Sequence, residues 1–130
     1  MSRNKDDFRI GLAGLGTVGG GLAQVLNDNR DWIAQRVGRT VALIVVADRD
    51  ENLRSQVEAM GARFMTDARA LSTADDVDVV VELIGGTTVA REIIADTLAA
   101  GKHAVTANKA LLAEYGTELF NLATEKNVHL

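Results

Sequence analysis

Phe8-Arg9-Ile10-Gly11-Leu12-Ala13-Gly14-Leu15-Gly16-Thr17-Val18-Gly19 sets an apolar run directly before a G-x-G-x-x-G spacing, and a helix-periodic stretch follows at once. Phe8, Ile10, Leu12 and Ala13 read as a strand buried on both faces, as strands of parallel sheets are. Val18, Leu22, Val25, Leu26 and Ile33 fall at helical spacing and form one apolar stripe. Between them, Gly14 permits the tight strand-to-helix turn, Gly16 lets the backbone approach phosphates, and Gly19 lets the helix pack close to its strand. Amides at the new helix N-terminus point at an anion, and the helix dipole favours it there. Gly14, Leu15, Gly16, Thr17, Val18 and Gly19 are therefore expected to bind the pyrophosphate of a dinucleotide. Three spaced glycines are a weak signal in a chain with 12 glycines among 130 residues. The strand before them and the helix after them give the motif its weight; the plain alternative is a glycine-rich turn between two elements.

The length suits one dinucleotide-binding domain, residues 1–130, and is short for a complete dehydrogenase. At 47% hydrophobic but only 4% aromatic residues, the core must be aliphatic, as in an α/β sheet. A net charge of −4 argues against a nucleic-acid partner, which needs clustered Lys and Arg. The absence of cysteine excludes disulfides, thiolate catalysis and cysteine-ligated zinc. His103 and His129 lack metal-ligand spacing, so no metal site is expected, and His103 is expected on a solvated loop before a strand. No segment approaches the roughly 20 apolar residues that span a bilayer. The charged start, Met1–Asp7, has no signal-peptide core behind it, so the expectation is a cytoplasmic protein.

Along the chain, strands and helices alternate, which points to an α/β, Rossmann-type, doubly wound and mostly parallel sheet in three layers. Asn27–Arg39 reads as an extension of the first helix plus a loop. Val41–Ala47 is the next strand, Leu53–Met60 a short helix ending at Gly61, and Arg63–Met65 a third strand. A helical turn at Leu71–Ala74 leads to a fourth strand, Val77–Ile84. An amphipathic helix through Val89, Ile93, Ile94, Thr97 and Leu98 is closed by Gly101. His103–Ala107 is a fifth strand; Leu111–Ala113 and Leu119–Lys126 are helical on either side of Gly116. Val128-His129-Leu130 reads as the start of a sixth strand, so the chain is expected to be a piece of a longer protein.

Three blocks together resemble homoserine dehydrogenase: Gly11–Gly19; Val81-Glu82-Leu83-Ile84-Gly85-Gly86; and Val105-Thr106-Ala107-Asn108-Lys109-Ala110-Leu111-Leu112-Ala113. The first is common to many dinucleotide enzymes, whereas the other two are more particular. The resemblance covers residues 8–130. It implies an oxidoreductase that interconverts L-aspartate-4-semialdehyde and L-homoserine with NADP or NAD, on the route to threonine and methionine. It also implies a homo-oligomeric full-length protein whose substrate and dimerisation region lies beyond Leu130.

Ligands of a doubly wound sheet sit at the carboxyl ends of its strands. Gly85, Gly86 and Thr87 end the fourth strand, and Thr106, Asn108 and Lys109 end the fifth, so both segments are expected to contact the cofactor. Gly85 and Gly86 read equally as a turn into a Thr87 or Thr88 helix cap, and Asn108 also reads as a helix cap. Lys109 is the catalytic candidate. A cation at a helix start opposes the macrodipole, whereas an ammonium beside an aldehyde oxygen stabilises and protonates the charge that hydride transfer builds. The bland alternative is a solvated lysine flanking a helix. In the family the matching lysine is one of two that serve this step, and the second lies outside this chain.

Asp48 and Arg49 follow the second strand. An acid there binds the ribose 2′-hydroxyl of NAD, whereas an arginine favours the 2′-phosphate of NADP. The family pattern matches Arg49 to its phosphate-contacting arginine and more often has an apolar residue at Asp48, so the cofactor is read as NADP or NAD. Glu82, an acid inside an apolar strand, must find a partner or face the crevice. Two rivals share the glycine loop: another dehydrogenase domain acting on aspartate-derived metabolites, and a non-catalytic NAD(H)-sensing module. The first would lack the Thr106–Ala113 block, and the second needs no lysine in the crevice.

Overall fold

The computed structural model describes residues 6–130; Met1–Lys5, most of the charged start, lie outside the described residues. Chain order is β1 (Phe8–Ala13), α1 (Thr17–Asp28), α2 (Arg30–Val37), β2 (Val41–Ala47), α3 (Arg54–Ala59), β3 (Arg63–Met65), β4 (Val79–Glu82), α4 (Val89–Ala99), β5 (His103–Thr106) and α5 (Lys109–Lys126). Short 3-10 turns cover Glu51–Leu53 and Ala68–Thr73. All neighbouring strands pair in parallel, in the order β3-β2-β1-β4-β5. The chain winds outward from β1 to β3, then crosses back to lay β4 on the other side of β1. That reversal is the switch point at which doubly wound sheets hold ligands.

Apolar residues on both faces of the central strands make the three layers. Ile10, Leu12, Val46, Val79 and Val81 pack with Ala23 of α1 and Val57 of α3. On the opposite face Ala13, Val45, Ala47 and Val80 pack with Leu71 and with Ile93 of α4. Alpha 4 and α5 close over that side through Ile94, Leu98, Leu111 and Leu119. A register shift between Ile10 and Gly11 skips Ile44, which lets β2 keep both faces apolar.

Several expectations are corrected. The first helix does not extend through Asn27–Arg39: it ends at Asp28, and Asn29, at φ −115° and ψ 22°, separates it from α2, which carries Ile33. Val18 and Val25 are 63% and 52% exposed rather than on the buried stripe. Close packing at Gly19 sets the face of α1, turning Ala23 and Leu26, four and seven residues on, inward. The fourth strand is shorter than Val77–Ile84, because the chain turns away after Glu82. Alpha 5 is one continuous helix in which Gly116 is buried; its packing against α4 outweighs the cost of about 1 kcal/mol for a helical glycine.

Asn127, at φ +55°, ends α5, and Val128–Leu130 then forms no strand. Its one ladder-like contact is the Ala104 N–H donating to the His129 carbonyl at 3.0 Å. His103 is not on a loop. It opens β5, stacks on His129 with ring centroids 5.3 Å apart, and accepts the His129 N–H at Nδ1. Among the described residues no helix is long and apolar enough to cross a membrane.

Candidate functional site

The glycine loop is fixed by backbone contacts. Gly14 has φ +96°, and its N–H donates to the Ala47 carbonyl at 2.8 Å. A Cβ on Gly19 would lie 2.1 Å from the Gly14 carbonyl oxygen, so only glycine lets α1 seat on this turn. Gly16 is different: it has an ordinary φ of −77°, and a Cβ there would meet nothing within 4 Å. Gly16 is also the N-cap of α1, and no side chain caps that end. The first-turn amides therefore have neither an intrahelical nor a side-chain acceptor. Thr17 and Val18 are exposed in that turn.

Leu15 divides its two ends. Its side chain is buried in the core under α1, while its N–H donates to Asp48 Oδ2 at 2.9 Å. Asp48 Oδ1 accepts the Asp50 N–H at 2.9 Å, so the end of β2 and the glycine loop hold this carboxylate between them. Two carboxylate oxygens offer about four lone-pair sites, which leaves capacity for hydroxyl donors. Arg49, one residue on, is exposed and forms no hydrogen bond or ion pair among the described residues.

The loops after β4 and β5 meet the glycine loop from the other side. Val18, Ile84, Gly85, Asn108 and Lys109 line one crevice, together with Glu82. Gly85 and Gly86 both have positive φ, +88° and +75°, which reverses the chain and leaves the turn exposed. Thr87 is half-buried; Thr88 occupies the N-cap position of α4 without a capping hydrogen bond.

Glu82 is 1% exposed and fully partnered. Its Oε2 accepts the N–H groups of Ile84 at 2.8 Å and Gly85 at 3.0 Å, and its Oε1 accepts the Thr106 hydroxyl at 2.6 Å. Thr106 Oγ1 accepts the Asn108 N–H at 3.0 Å. Asn108 Oδ1 accepts the Leu111 N–H and so caps α5, while the Asn108 amide group donates to the Gly86 carbonyl. Lys109 is the first residue of α5, exposed, and its side chain has no partner among the described residues.

The structure thus brings Val18, Gly85, Asn108 and Lys109 to one crevice and ties Asp48 to the same glycine loop, with the exposed Arg49 next in sequence. An uncapped helix start, an open position beside Gly16 and an unpaired ammonium suit an elongated anionic ligand such as a dinucleotide. The partners of Glu82 are what the sequence left undecided. Their signal was an acid immediately before a Leu-Ile-Gly-Gly turn, where a carboxylate reaches the amides two and three residues on.

The family model of the NAD-binding domain of homoserine dehydrogenase matches residues 14–130. The chain is 50% identical over 119 residues to the homoserine dehydrogenase of Neisseria gonorrhoeae, a match covering 92% of this chain and 27% of that protein. To the enzyme of Methylobacillus glycogenes it is 46% identical, covering 92% and 29%. The crystal structure of a homoserine dehydrogenase from Thiobacillus denitrificans aligns with a TM-score of 0.85 at 42% identity, covering 94% of this chain and 28% of that one. The chain therefore spans less than a third of the length of these relatives. With fold, glycine loop and sequence in agreement, the chain belongs to the NAD-binding domain family of homoserine dehydrogenase.

Proposed function

We propose that residues 1–130 form the dinucleotide-binding domain of a homoserine dehydrogenase, an oxidoreductase interconverting L-aspartate-4-semialdehyde and L-homoserine with NADP or NAD. One observation carries the reading: Val18 in the first helical turn after the glycine loop, Gly85 and Lys109 border one crevice at the switch point of the sheet. The α1 amides at Thr17, Val18 and Gly19 hold the pyrophosphate, with Gly16 leaving it room. Asp48 and Arg49 contact the adenosine ribose, Asp48 through its free lone pairs and Arg49 through any 2′-phosphate. Gly85, Gly86, Thr87, Thr106 and Asn108 border the nicotinamide end.

A dinucleotide held in this crevice would supply or take up hydride at the substrate carbon. Lys109 Nζ stabilises charge on the substrate oxygen and carries the proton for it. Family membership supports the rest of the picture: a longer cytoplasmic homo-oligomer whose remaining segments take the small-molecule substrate.

Titration of the chain with NADPH and NADH tests the reading. Saturable binding is expected. Arg49→Ala should weaken NADPH by about tenfold and leave NADH nearly unchanged, the loss of one charge-assisted contact. If Asp48 sets the preference instead, Asp48→Ala weakens NADH. A folded chain that binds neither nucleotide overturns the proposal.

A further inference from the structure

The hydrogen bonds around Glu82 close a ring. From Glu82 Oε1 the path runs to the Thr106 hydroxyl, then to the Asn108 N–H, through the Asn108 side chain to the Gly86 carbonyl, and back through Gly85 N–H to Glu82 Oε2. This ring fastens the turn after β4 to the first residues of α5, and among the described residues no other side-chain hydrogen bond joins the two. Oε2 accepts the two backbone N–H groups, and Thr106 donates its hydroxyl proton to Oε1. Thr106 is then left with lone pairs only, and one of them receives the Asn108 N–H. Asn108 is thereby held at φ −89° and ψ 90°, the extended geometry of an N-cap, so that α5 begins at Lys109.

We propose that Glu82 is a positioning residue: through Thr106 and Asn108 it sets where Lys109 stands relative to the Gly85–Gly86 turn. The proposal deepens the dinucleotide reading of the crevice and rests on it only for the ligand readout. Glu82→Gln keeps the shape but replaces one acceptor by a donor. If its oxygen takes the two backbone N–H groups, its NH2 donates to the second Thr106 lone pair and strands the Thr106 proton, which loses its acceptor. If the amide is flipped, the NH2 faces two donors.

The test uses the 130-residue chain, with backbone amide NMR spectra and NADPH titration as separate readouts. In Glu82→Gln the Asn108 and Lys109 amide signals should move together with those of Ile84 and Gly85, and NADPH affinity should fall about tenfold, as for one lost buried hydrogen bond. Thr106→Val should reproduce both effects, and Thr106→Ser should restore them. The double variant Glu82→Gln/Thr106→Val should bind within about twofold of Glu82→Gln alone, because both act through one link. Asn108 and Lys109 signals unmoved in a folded Glu82→Gln chain overturn the proposal, as do losses that multiply in the double variant. If Glu82→Gln does not fold, the Val and Ser variants of Thr106 make the same comparison. A wild-type chain that binds no nucleotide defeats the dinucleotide reading, while the amide signals still decide the positioning role.

Discussion

At the residue scale, Gly16 and Gly19 separate two demands that look identical in the motif. Gly19 is fixed by the chain itself, since a Cβ would lie 2.1 Å from a backbone oxygen. Gly19→Ala should therefore lower the unfolding free energy by about 3 kcal/mol or more, measured in urea. Gly16 has no such neighbour and an unstrained φ. Gly16→Ala should fold with stability within about 1 kcal/mol of wild type, yet lose about tenfold or more in NADPH affinity, because the methyl occupies the ligand's approach. Unchanged affinity in Gly16→Ala would count against the crevice as the pyrophosphate site. Lys109 makes the complementary case. It opens α5, whose first turn holds no acid. A cation there opposes the dipole, so Lys109→Gln should gain about 0.5 kcal/mol at low salt while removing the proposed proton donor.

At the element scale, α5 carries both its own stability and the placement of the crevice. Asn108 was readable as a cap or as a ligand contact; its side chain caps the Leu111 N–H and also ties the Gly86 carbonyl. Asn108→Ala should cost about 1 kcal/mol for the cap alone, and thermal unfolding measures it. Gly116 misled the reading of this helix, because an isolated glycine is a usual sign of a break. The structure gives a Cβ at Gly116 only one neighbour, 4.0 Å away on Leu112. Gly116→Ala is accordingly expected to stabilise the chain by up to about 1 kcal/mol; a loss would show that the α4 interface has no room for the methyl.

For the whole molecule, Arg9 in β1 and Asp78, the residue before β4, lie 69 residues apart in sequence and clamp these two strands together. Asp78 accepts the Arg9 backbone N–H at 2.8 Å and two guanidinium bonds at 3.1 and 3.0 Å. Chiefly because of the guanidinium hydrogen bonds, the Asp78 carboxyl lies below its ordinary value of 3.8. A depressed folded-state value contributes stability above the unfolded value, and that contribution is lost as pH falls through the folded one. Unfolding free energy should therefore drop on acidification below about pH 4, and Asp78→Asn should flatten that arm while costing about 2 kcal/mol at neutral pH. An acid arm unchanged by Asp78→Asn would place the loss on other carboxylates. What the sequence by itself determined were features written in consecutive residues: the apolar runs of β1 and β2, the β3 boundaries, the glycine turn and the helix start at Asn108. Periodicity and turn chemistry are local, so each is complete within a few positions. Only the tertiary structure decided that Asp48 braces Leu15 from 33 residues away, that Glu82 meets Thr106 across 24, and that His103 pairs with His129. Those partners follow from strand order, and strand order is set by how the layers pack rather than by any one segment.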